Sequence, residues 1–483
     1  MLSVVWHKTW NQGPGLIGAL FAPLAIFICL LMVVAFGLFG VNIWVIIIGM
    51  TLITLAIILR QDALAITLII AAHLYVDWYL VLHVVGLTLA VALLFIFYLT
   101  RSSARPWIGK PHALRLWLLF LVLTVIPAIN GALTLHDTLN EYPNIVFAAL
   151  IMFWLGALIA RDTASVRRLF KMLAVLGALL AMHTIIQALT GVTVFGSASV
   201  NAYLSNTLNY NVVYGLDIHR YGSFFADPNW NGAFFATVLF IPLGLFVECR
   251  SFFGKLFYLA ETLIMLPALL FTYSTGAWIA AAGGLIAFIV FVGRTRYRVQ
   301  LTVCLAVAVL VLVSWFPTQI ALQLQRASNS DETALRVATW QTGVAVIEAF
   351  PLTGVGLGGQ AYLRRSEPYR VAAQYVPLDH PHNSYLELGA EAGLPVLIVF
   401  IAILVYTSWQ ALRNWIVADA RTRSLLGGGL AAVIALSVNS VSINGWTLPP
   451  LAAIGWIILG AISSPLLAKS LASGIVQVEK GGI

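Results

Sequence analysis

Two histidines lie near the start of a predicted helix, in the sequence His380-Pro-His382-Asn383. An imidazole with a pKa near about 6.5 can take a proton from a hydroxyl at neutral pH, so His382 is a candidate catalytic base. A metal site is the alternative, because Glu387 and Glu391 follow. The proline separates the histidines and the spacing matches no strong ligand pattern, so we expect no metal.

A second group of candidates consists of six arginines, with no lysine among them, in the polar segments at about 191–228 and 317–392. A guanidinium binds phosphate through paired hydrogen bonds and stays charged at any pH. The group therefore indicates an anion site. The alternative is that it only solubilises the loops and pairs with Asp331, Glu332 and Glu367. The six are Arg220, Arg326, Arg336, Arg364, Arg365 and Arg370.

Arg220 precedes a predicted helix start. Asp227 is predicted to be the N-cap and Pro228 the first helical residue, and Asn229 and Asn231 follow on the first turn. A helix N-terminus presents backbone N–H groups and a partial positive charge, which suits an anion. An arginine snorkelling beside an ordinary helix start is the alternative.

Residues 333–348 are predicted to form a helix that lies in the membrane interface, with Trp340 at headgroup depth. Arg336 lies one turn before Trp340 and could reach a lipid-linked headgroup, or only snorkel at the lipid surface. Four large apolar residues share one helical face: Val337, Trp340, Val344 and Ile347.

Three glycines in the same segment, Gly354, Gly356 and Gly359, match the pattern GxGxxG. A dinucleotide-binding fold needs this pattern between a soluble strand and a helix, and such a context is absent from a loop of this kind. We predict a flexible turn with an exposed backbone.

The elements that position these residues are membrane helices. The 483 residues are 61% apolar and only 9% charged, and the mean hydropathy is +0.96. A soluble protein has roughly a quarter of its residues charged. Apolar runs of roughly 17–25 residues can cross the hydrocarbon core. Fourteen are predicted, or twelve if the third and fourth form one re-entrant unit: 16–39, 43–59, 63–76, 79–99, 114–134, 145–160, 172–190, 229–247, 256–273, 276–292, 299–316, 393–410, 424–443 and 447–463.

The chain is thus predicted to be an all-α, polytopic helical bundle with a large helical loop. Its predicted parts are N-terminal spans (1–190), a first outer loop (191–228), central spans (229–316), a large outer loop (317–392), and C-terminal spans with a tail (393–483).

The positions of the basic residues predict the orientation, because Lys and Arg favour the cytoplasmic side. With the N-terminus inside, 20 of the 26 basic residues lie on inner segments, and the six arginines above are the others. Both termini are then cytoplasmic. Topology explains most of the net charge of +8, so a nucleic-acid partner is not needed.

The order of these motifs resembles the O-antigen ligase and polymerase family of bacterial inner membranes. The resemblance is clearest over residues 220–400 and rests on ordered groups: Arg220 with Asp227-Pro228-Asn229, Arg336 with Trp340, Pro351 with Gly354-Val355-Gly356, and His382-Asn383-Ser384-Tyr385 followed by Gly393-Leu394-Pro395. Thr275 and Val396 depart from the pattern and weaken assignment to the ligase branch.

The resemblance implies a metal-independent, inverting glycosyltransferase of the GT-C type, without a cofactor. Its donor would be a glycan on undecaprenyl diphosphate at the periplasmic face, and its acceptor a glycan or lipid. Arg220 and Arg336 would bind the diphosphate, and His382 would deprotonate the acceptor hydroxyl. Asn383, Asn229 and Tyr385 would position sugar or acceptor.

A polytopic solute transporter is the alternative from a different class. Transporters commonly place broken helices and paired charges near the bilayer midplane. The charges here cluster in two outer loops, which favours the enzyme.

Overall fold

The computed structural model describes residues 61–76, 113–131, 148–190, 220–225, 227–292, 295–328, 330–374 and 376–480, with positions 53, 56 and 146. Within these ranges the regular structure is helical, which confirms the all-α prediction. Several predictions lie outside the described residues: the spans 16–39, 43–59 and 79–99, and positions 191–219 of the first outer loop.

The helices of the described ranges are numbered here in chain order. They are α1 (Asp62–Val76), α2 (Leu114–Gly131), α3 (Ala148–Ile159), α4 (Thr163–Thr190), α5 (Pro228–Val238), α6 (Phe240–Glu248), α7 (Phe252–Phe271), α8 (Thr275–Phe291), α9 (Thr295–Trp315), α10 (Pro317–Ala327), α11 (Ser330–Ala349), α12 (Gly359–Arg365), α13 (Ser384–Ala392), α14 (Leu394–Val417), α15 (Ala420–Asn439), α16 (Pro449–Ile462) and α17 (Pro465–Lys480).

Eleven of the fourteen predicted spans fall on described residues, and each coincides with one or two of these helices. Six helical segments of the described chain are long and apolar enough to cross a membrane, and further apolar helices are shorter. The protein is therefore a multi-pass membrane protein. The six segments are Thr163–Thr190, Pro228–Glu248, Phe252–Phe271, Leu394–Val417, Ala420–Asn439 and Leu451–Ser473.

Small residues allow the helices to pack at close range. A β-carbon at Gly460 of α16 would collide with the carbonyl oxygen of Phe153 of α3, and one at Gly156 would collide with that of Ile457. Membrane helices gain contact through such small residues, because lipid provides no hydrophobic drive between them.

The large predicted loop is helical, as expected, and consists of α10 to α13 with a short 3-10 turn at Glu367–Tyr369. Helix α11 covers the predicted interfacial helix at 333–348. Val337 and Val344, on its predicted apolar face, are 42% and 43% exposed. These two side chains are available to lipid, whereas Ile347 of the same predicted face packs against buried residues of the protein.

The glycine-rich turn is a prediction that the structure corrects. Positions 354–358 are buried. The amide of Val355 donates to the Ala390 carbonyl (2.9 Å) and that of Gly356 to the Glu391 carbonyl (2.9 Å). At Gly354 the φ angle is +62°, and a β-carbon would collide with the backbone of Glu391. The prediction of an exposed backbone was therefore wrong. These glycines allow the backbone of the turn to pack closely against α13, where a side chain would not fit.

Candidate functional site

Arg220 is buried, with 7% of its surface exposed, at the start of the segment that leads into α5. Its Nε donates to the carbonyl oxygen of Thr272 (3.0 Å), and its Nη2 donates to Oδ1 of Asn229 (2.6 Å). A buried guanidinium needs such partners, because an unpaired one loses its hydration without compensation. Asn229 therefore holds Arg220, a role that its sequence position did not reveal.

The helix start that follows Arg220 is confirmed. The carboxylate of Asp227 caps α5 by accepting hydrogen bonds from the amides of Asn229 (2.6 Å) and Trp230 (3.3 Å), and Pro228 occupies the first helical turn. The cap fixes Asn229 on the first turn, where its side chain meets Arg220.

Contacts with α4 hold the same segment from the other side. Nδ2 of Asn231 donates to Oγ1 of Thr184 (3.1 Å) and to the Tyr221 carbonyl (3.0 Å). Nδ1 of His183 lies 2.7 Å from Oγ of Ser223. Hydrogen bonds to α4 and α5 thus fix the backbone segment that carries Arg220.

A second arginine reaches the same turn. Arg326, near the end of α10, donates through Nη1 to the carbonyl oxygen of Tyr273. Oγ1 of Thr275, in the same turn, accepts from Nε2 of Gln323 (3.2 Å), one turn earlier on α10. Arg220 and Arg326 are therefore anchored on consecutive carbonyl groups, those of Thr272 and Tyr273, just before α8 begins.

Arg336 approaches the start of α8 from α11. Its Nη1 donates to the carbonyl oxygen of Ser442 (2.8 Å), in the loop between α15 and α16. Ser442 packs directly on Gly276, where a β-carbon would collide with the serine Oγ. The anchors of all three arginines thus adjoin the first turn of α8, whose N-cap Ser274 makes no side-chain capping bond.

The histidines form a chain of hydrogen bonds with the preceding aspartate. Oδ1 of Asp379 lies 2.6 Å from Nδ1 of His380. Nε2 of His380 lies 3.1 Å from Nδ1 of His382, and the two rings meet edge to face at 4.3 Å between centroids. His382 has φ +50°, in the left-handed region that a β-carbon disfavours. The surrounding structure maintains this conformation at a typical cost of about 1–3 kcal/mol.

The residues after His382 fix the chain to the bundle. Oδ1 of Asn383 caps α13 by accepting from the amides of Tyr385 (2.9 Å) and Leu386 (3.2 Å). The hydroxyl of Tyr385 donates to the Ser437 carbonyl of α15 (3.0 Å). Ser384 donates through its amide to the Ser440 carbonyl (2.9 Å). Asn383 and Tyr385 therefore have structural partners, and their predicted role in sugar positioning stays a prediction.

The charges around the histidines separate their pKa values. Burial lowers the pKa of His382 well below its ordinary 6.5, and the positive charges of His380 and Arg336 lower it further. Burial also opposes charge on His380, but the hydrogen bond and negative charge of Asp379 outweigh it and raise that pKa above 6.5. The hydrogen bond from His380 lowers the pKa of Asp379, so the carboxylate is ionised at neutral pH.

These effects also show what lies near the histidines. Arg336 acts on His382, and Asp227 and Glu387 act on His380. The Arg220 segment, α11 and the histidine segment therefore meet at one site. Asp379 was not singled out from the sequence, and His380 and Arg326 were named only as members of their groups, without a role of their own. A carboxylate directly before a histidine was a signal for the first two, whereas nothing in the sequence pairs Arg326 with Tyr273.

The other outer arginines lie differently. Arg370 forms an ion pair with Glu367 (3.1 Å), which is the alternative to an anion site that the sequence offered for this group. Arg365 donates to the Val355 carbonyl (2.5 Å), and Arg364 is exposed. Among the described residues, no group of three or more His, Cys, Asp or Glu side chains is arranged to hold a metal ion.

Comparisons with known proteins agree with the resemblance seen in the motifs. A family model described as O-antigen ligase matches residues 261–401, which include Arg326, Arg336 and His382. The exopolysaccharide production protein ExoQ of Rhizobium meliloti (strain 1021) is 26% identical over 329 residues, covering 60% of this chain and 68% of that protein. Both matches support the resemblance of this chain to the O-antigen ligase and polymerase family.

Proposed function

We propose that this protein transfers a glycan from undecaprenyl diphosphate to an acceptor hydroxyl at the periplasmic face of the bacterial inner membrane. The observation that carries the proposal is the convergence of three arginines on the first turn of α8, with His382 within the electrostatic range of one of them. Transfer from a phosphate leaving group to a hydroxyl needs an anion site and a base together.

The donor would bind through its diphosphate. Arg220 and Arg336 are proposed to hold the phosphate oxygens, and Arg326 adds a third guanidinium from the carbonyl next to that of Arg220. The N–H groups at the start of α8 would face the same charge. Main-chain carbonyls anchor all three arginines, so little reorganisation is needed when the leaving group becomes more negative.

The transfer would be a single displacement at the anomeric carbon. His382 takes the proton of the acceptor hydroxyl while the acceptor oxygen forms a bond to that carbon. The bond from the carbon to the diphosphate oxygen breaks, and undecaprenyl diphosphate leaves with the electron pair. Attack from the face opposite the leaving group inverts the anomeric centre. In this scheme the arginines supply the charge stabilisation that a metal ion provides in other transferases.

A growing polysaccharide is the acceptor that the comparisons favour, because the relative from Rhizobium meliloti is named for exopolysaccharide production. A lipid-A core is the alternative acceptor, since the matching family model is described as O-antigen ligase. Asn383, Asn229 and Tyr385 remain proposed contacts for sugar or acceptor. The orientation follows from the basic residues, of which 20 of 26 would be cytoplasmic.

The test is reconstitution of the full chain in liposomes with undecaprenyl-diphosphate-linked glycans extracted from its host and candidate envelope acceptors. Mass spectrometry follows free undecaprenyl diphosphate and the size of the glycan products. We expect carrier release by the wild type, and a rate about 10²- to 10⁴-fold lower for His382→Ala, because proton transfer to the base is lost. A ladder of products indicates polymerisation, and a single conjugate indicates ligation.

Thermal stability and size-exclusion profiles of His382→Ala serve as the folding control. Equal carrier release by wild type and variant would remove His382 from the mechanism. No carrier release by a folded wild type, with all acceptors supplied, would favour the transporter alternative over glycan transfer.

A further inference from the structure

The chain of hydrogen bonds from Asp379 through His380 to His382 determines which ring nitrogens can carry a proton. An ionised carboxylate only accepts hydrogen bonds, so Nδ1 of His380 carries a proton toward Asp379. The state of Nε2 of His380 then decides the state of His382, because these two rings share one hydrogen bond of 3.1 Å. Two arrangements satisfy the geometry.

In the first arrangement His380 is neutral, and its Nε2 accepts a proton donated by Nδ1 of His382. The lone pair of His382 is then on Nε2, where it can take a proton from an acceptor. In the second arrangement His380 is a cation that donates from Nε2, and neutral His382 carries its proton on Nε2. Only the first arrangement provides a base.

We propose that Asp379 and His380 are positioning residues that hold His382 in its reactive tautomer and receive the positive charge of the proton that His382 takes up. This inference rests on the proposed function, in which His382 is the base. As Nε2 of His382 gains the acceptor proton, its Nδ1 proton passes to Nε2 of His380. One proton enters the chain, one moves along it, and His380 becomes the cation paired with Asp379.

Electrostatics explains why the charge should move. Arg336 faces His382, so an imidazolium there would lie beside a like charge, whereas Asp379, Glu387 and Asp227 face His380. The relay therefore places the new charge one ring away from the arginine, next to a carboxylate. The separation of the two histidine pKa values agrees with this direction of transfer.

The reset reverses the transfer. The Nε2 proton of His380 returns to Nδ1 of His382 as the Nε2 proton of His382 leaves to water after the product departs, which restores the first arrangement for the next turnover. Between these steps the charge lies at the end of the hydrogen-bond chain that solvent reaches, because the side chain of Asp379 is 54% exposed and that of His380 is 16% exposed.

A pH dependence follows from the two arrangements. The rate is expected to rise with pH as His380 loses its proton, because the cationic form blocks His382. The pKa of His380 is raised above 6.5. The single-turnover rate at about pH 6 should therefore lie below its plateau at higher pH.

A matched pair of variants at position 380 tests the relay in the liposome assay. In His380→Gln the amide oxygen can still accept from Nδ1 of His382 but cannot titrate or become charged, whereas His380→Ala removes the partner. We expect His380→Gln to lose about tenfold in single-turnover rate and to become nearly flat from about pH 6 to 8. His380→Ala should lose about tenfold more.

Asp379→Asn gives a second measurement of the same relay. Loss of the carboxylate lowers the pKa of His380, so the rising limb should move to lower pH while the plateau falls. The KM for the donor should stay within about twofold in all three variants, because the arginines are intact.

The outcomes separate the two proposals. If the wild type and His382→Ala differ as expected while all three relay variants keep the wild-type rate and pH midpoint, the relay is wrong and glycan transfer stands. If His380→Gln retains the wild-type rising limb, His380 is not the titrating group, and the relay is likewise overturned. Absence of carrier release by the wild type would instead count against the proposed function.

Discussion

The arginine side chains of the site are anchored by residues far along the chain, whereas Asp379, His380 and His382 lie within four consecutive positions. Arg220 and Arg326 bond to carbonyl groups 52 and 53 residues away, and Arg336 to one 106 residues away. The hydrogen bonds of the histidine chain span one and two residues. The proposed anion site thus depends on packing of the whole bundle, whereas the proposed base is positioned mainly by its neighbours in sequence.

This difference suggests how the two halves should respond to substitution. Loss of an arginine should weaken donor binding and turnover together, since in the proposed mechanism the diphosphate is bound in the ground state and becomes more negative as it leaves. Loss of a histidine contact should change turnover and its pH dependence with little effect on donor binding. Each prediction below tests one side of this contrast.

The largest effect in the arginine group is expected for Arg220→Ala and Arg336→Ala. Each should reduce kcat/KM for the donor by about 10²-fold or more, with a raised KM, because a fixed donor to the developing charge is removed. The measurement is initial carrier release at varied donor concentration. Arg364→Ala is the matched control, since Arg364 lies in the same loop and is exposed.

Arg336→Ala is the more informative of the two, because Arg220 is buried and its loss could also disturb folding. A raised KM for Arg336→Ala, with Arg364→Ala at the wild-type value, supports the anion site. Equal values for both would mean that Arg336 only holds the loop at Ser442 and does not bind the donor. Removing its charge should also raise the pKa of His382, because that charge lowers it in the wild type.

A smaller effect is expected for Arg326→Gln. The glutamine keeps an N–H donor but lacks the charge, so kcat/KM should fall by about tenfold, which is the worth of one charge-assisted hydrogen bond. Donor titration of the variant at low and high salt measures the charge contribution. Unchanged kcat/KM would mean that Arg326 only fixes the turn before α8.

The sequence predicted the helices better than their ends, for physical reasons visible in α4. The apolar run predicted a span at 172–190, yet the helix begins at Thr163. The charged first turns are accommodated because Arg167 bonds to the carboxylate of Glu248 (Nε to Oε1, 2.8 Å). Hydropathy reports only which residues can face lipid. A span predicted from it therefore ends at the first polar residues, even where contacts with the protein allow the helix to continue.

The candidate site shows the same limit. The cap at Asp227, the helix at 333–348 and the helix start after His382 follow local rules, and the structure has each of them. The carbonyls that anchor the arginines belong to turns whose positions depend on helix packing, such as that of Ser442 on Gly276. No local pattern encodes that contact. The glycine-rich turn was wrongly predicted to be exposed for the same reason, because its packing partner, Glu391, lies on α13.

Asn383 separates a structural role from a substrate contact on the histidine side. Asn383→Ser keeps an uncharged oxygen that can cap α13, whereas Asn383→Ala removes it and should cost about 1 kcal/mol of stability. If capping is the whole role, the serine variant should retain turnover within about threefold, a difference worth under about 1 kcal/mol. A much larger loss in turnover, with unchanged thermal stability, would indicate that the amide NH₂ contacts sugar or acceptor.

The smallest effect is expected for Tyr385→Phe. The hydroxyl donates to the Ser437 carbonyl and ties α13 to α15, so its removal should cost about 1 kcal/mol of stability. Turnover should change by no more than about twofold if the ring, packed against the core, does the positioning. Thermal unfolding and single-turnover rates measured on the same preparation separate the two. A drop of about tenfold or more in rate at unchanged stability would assign the hydroxyl to the substrate, and the histidine side would then extend beyond its local segment.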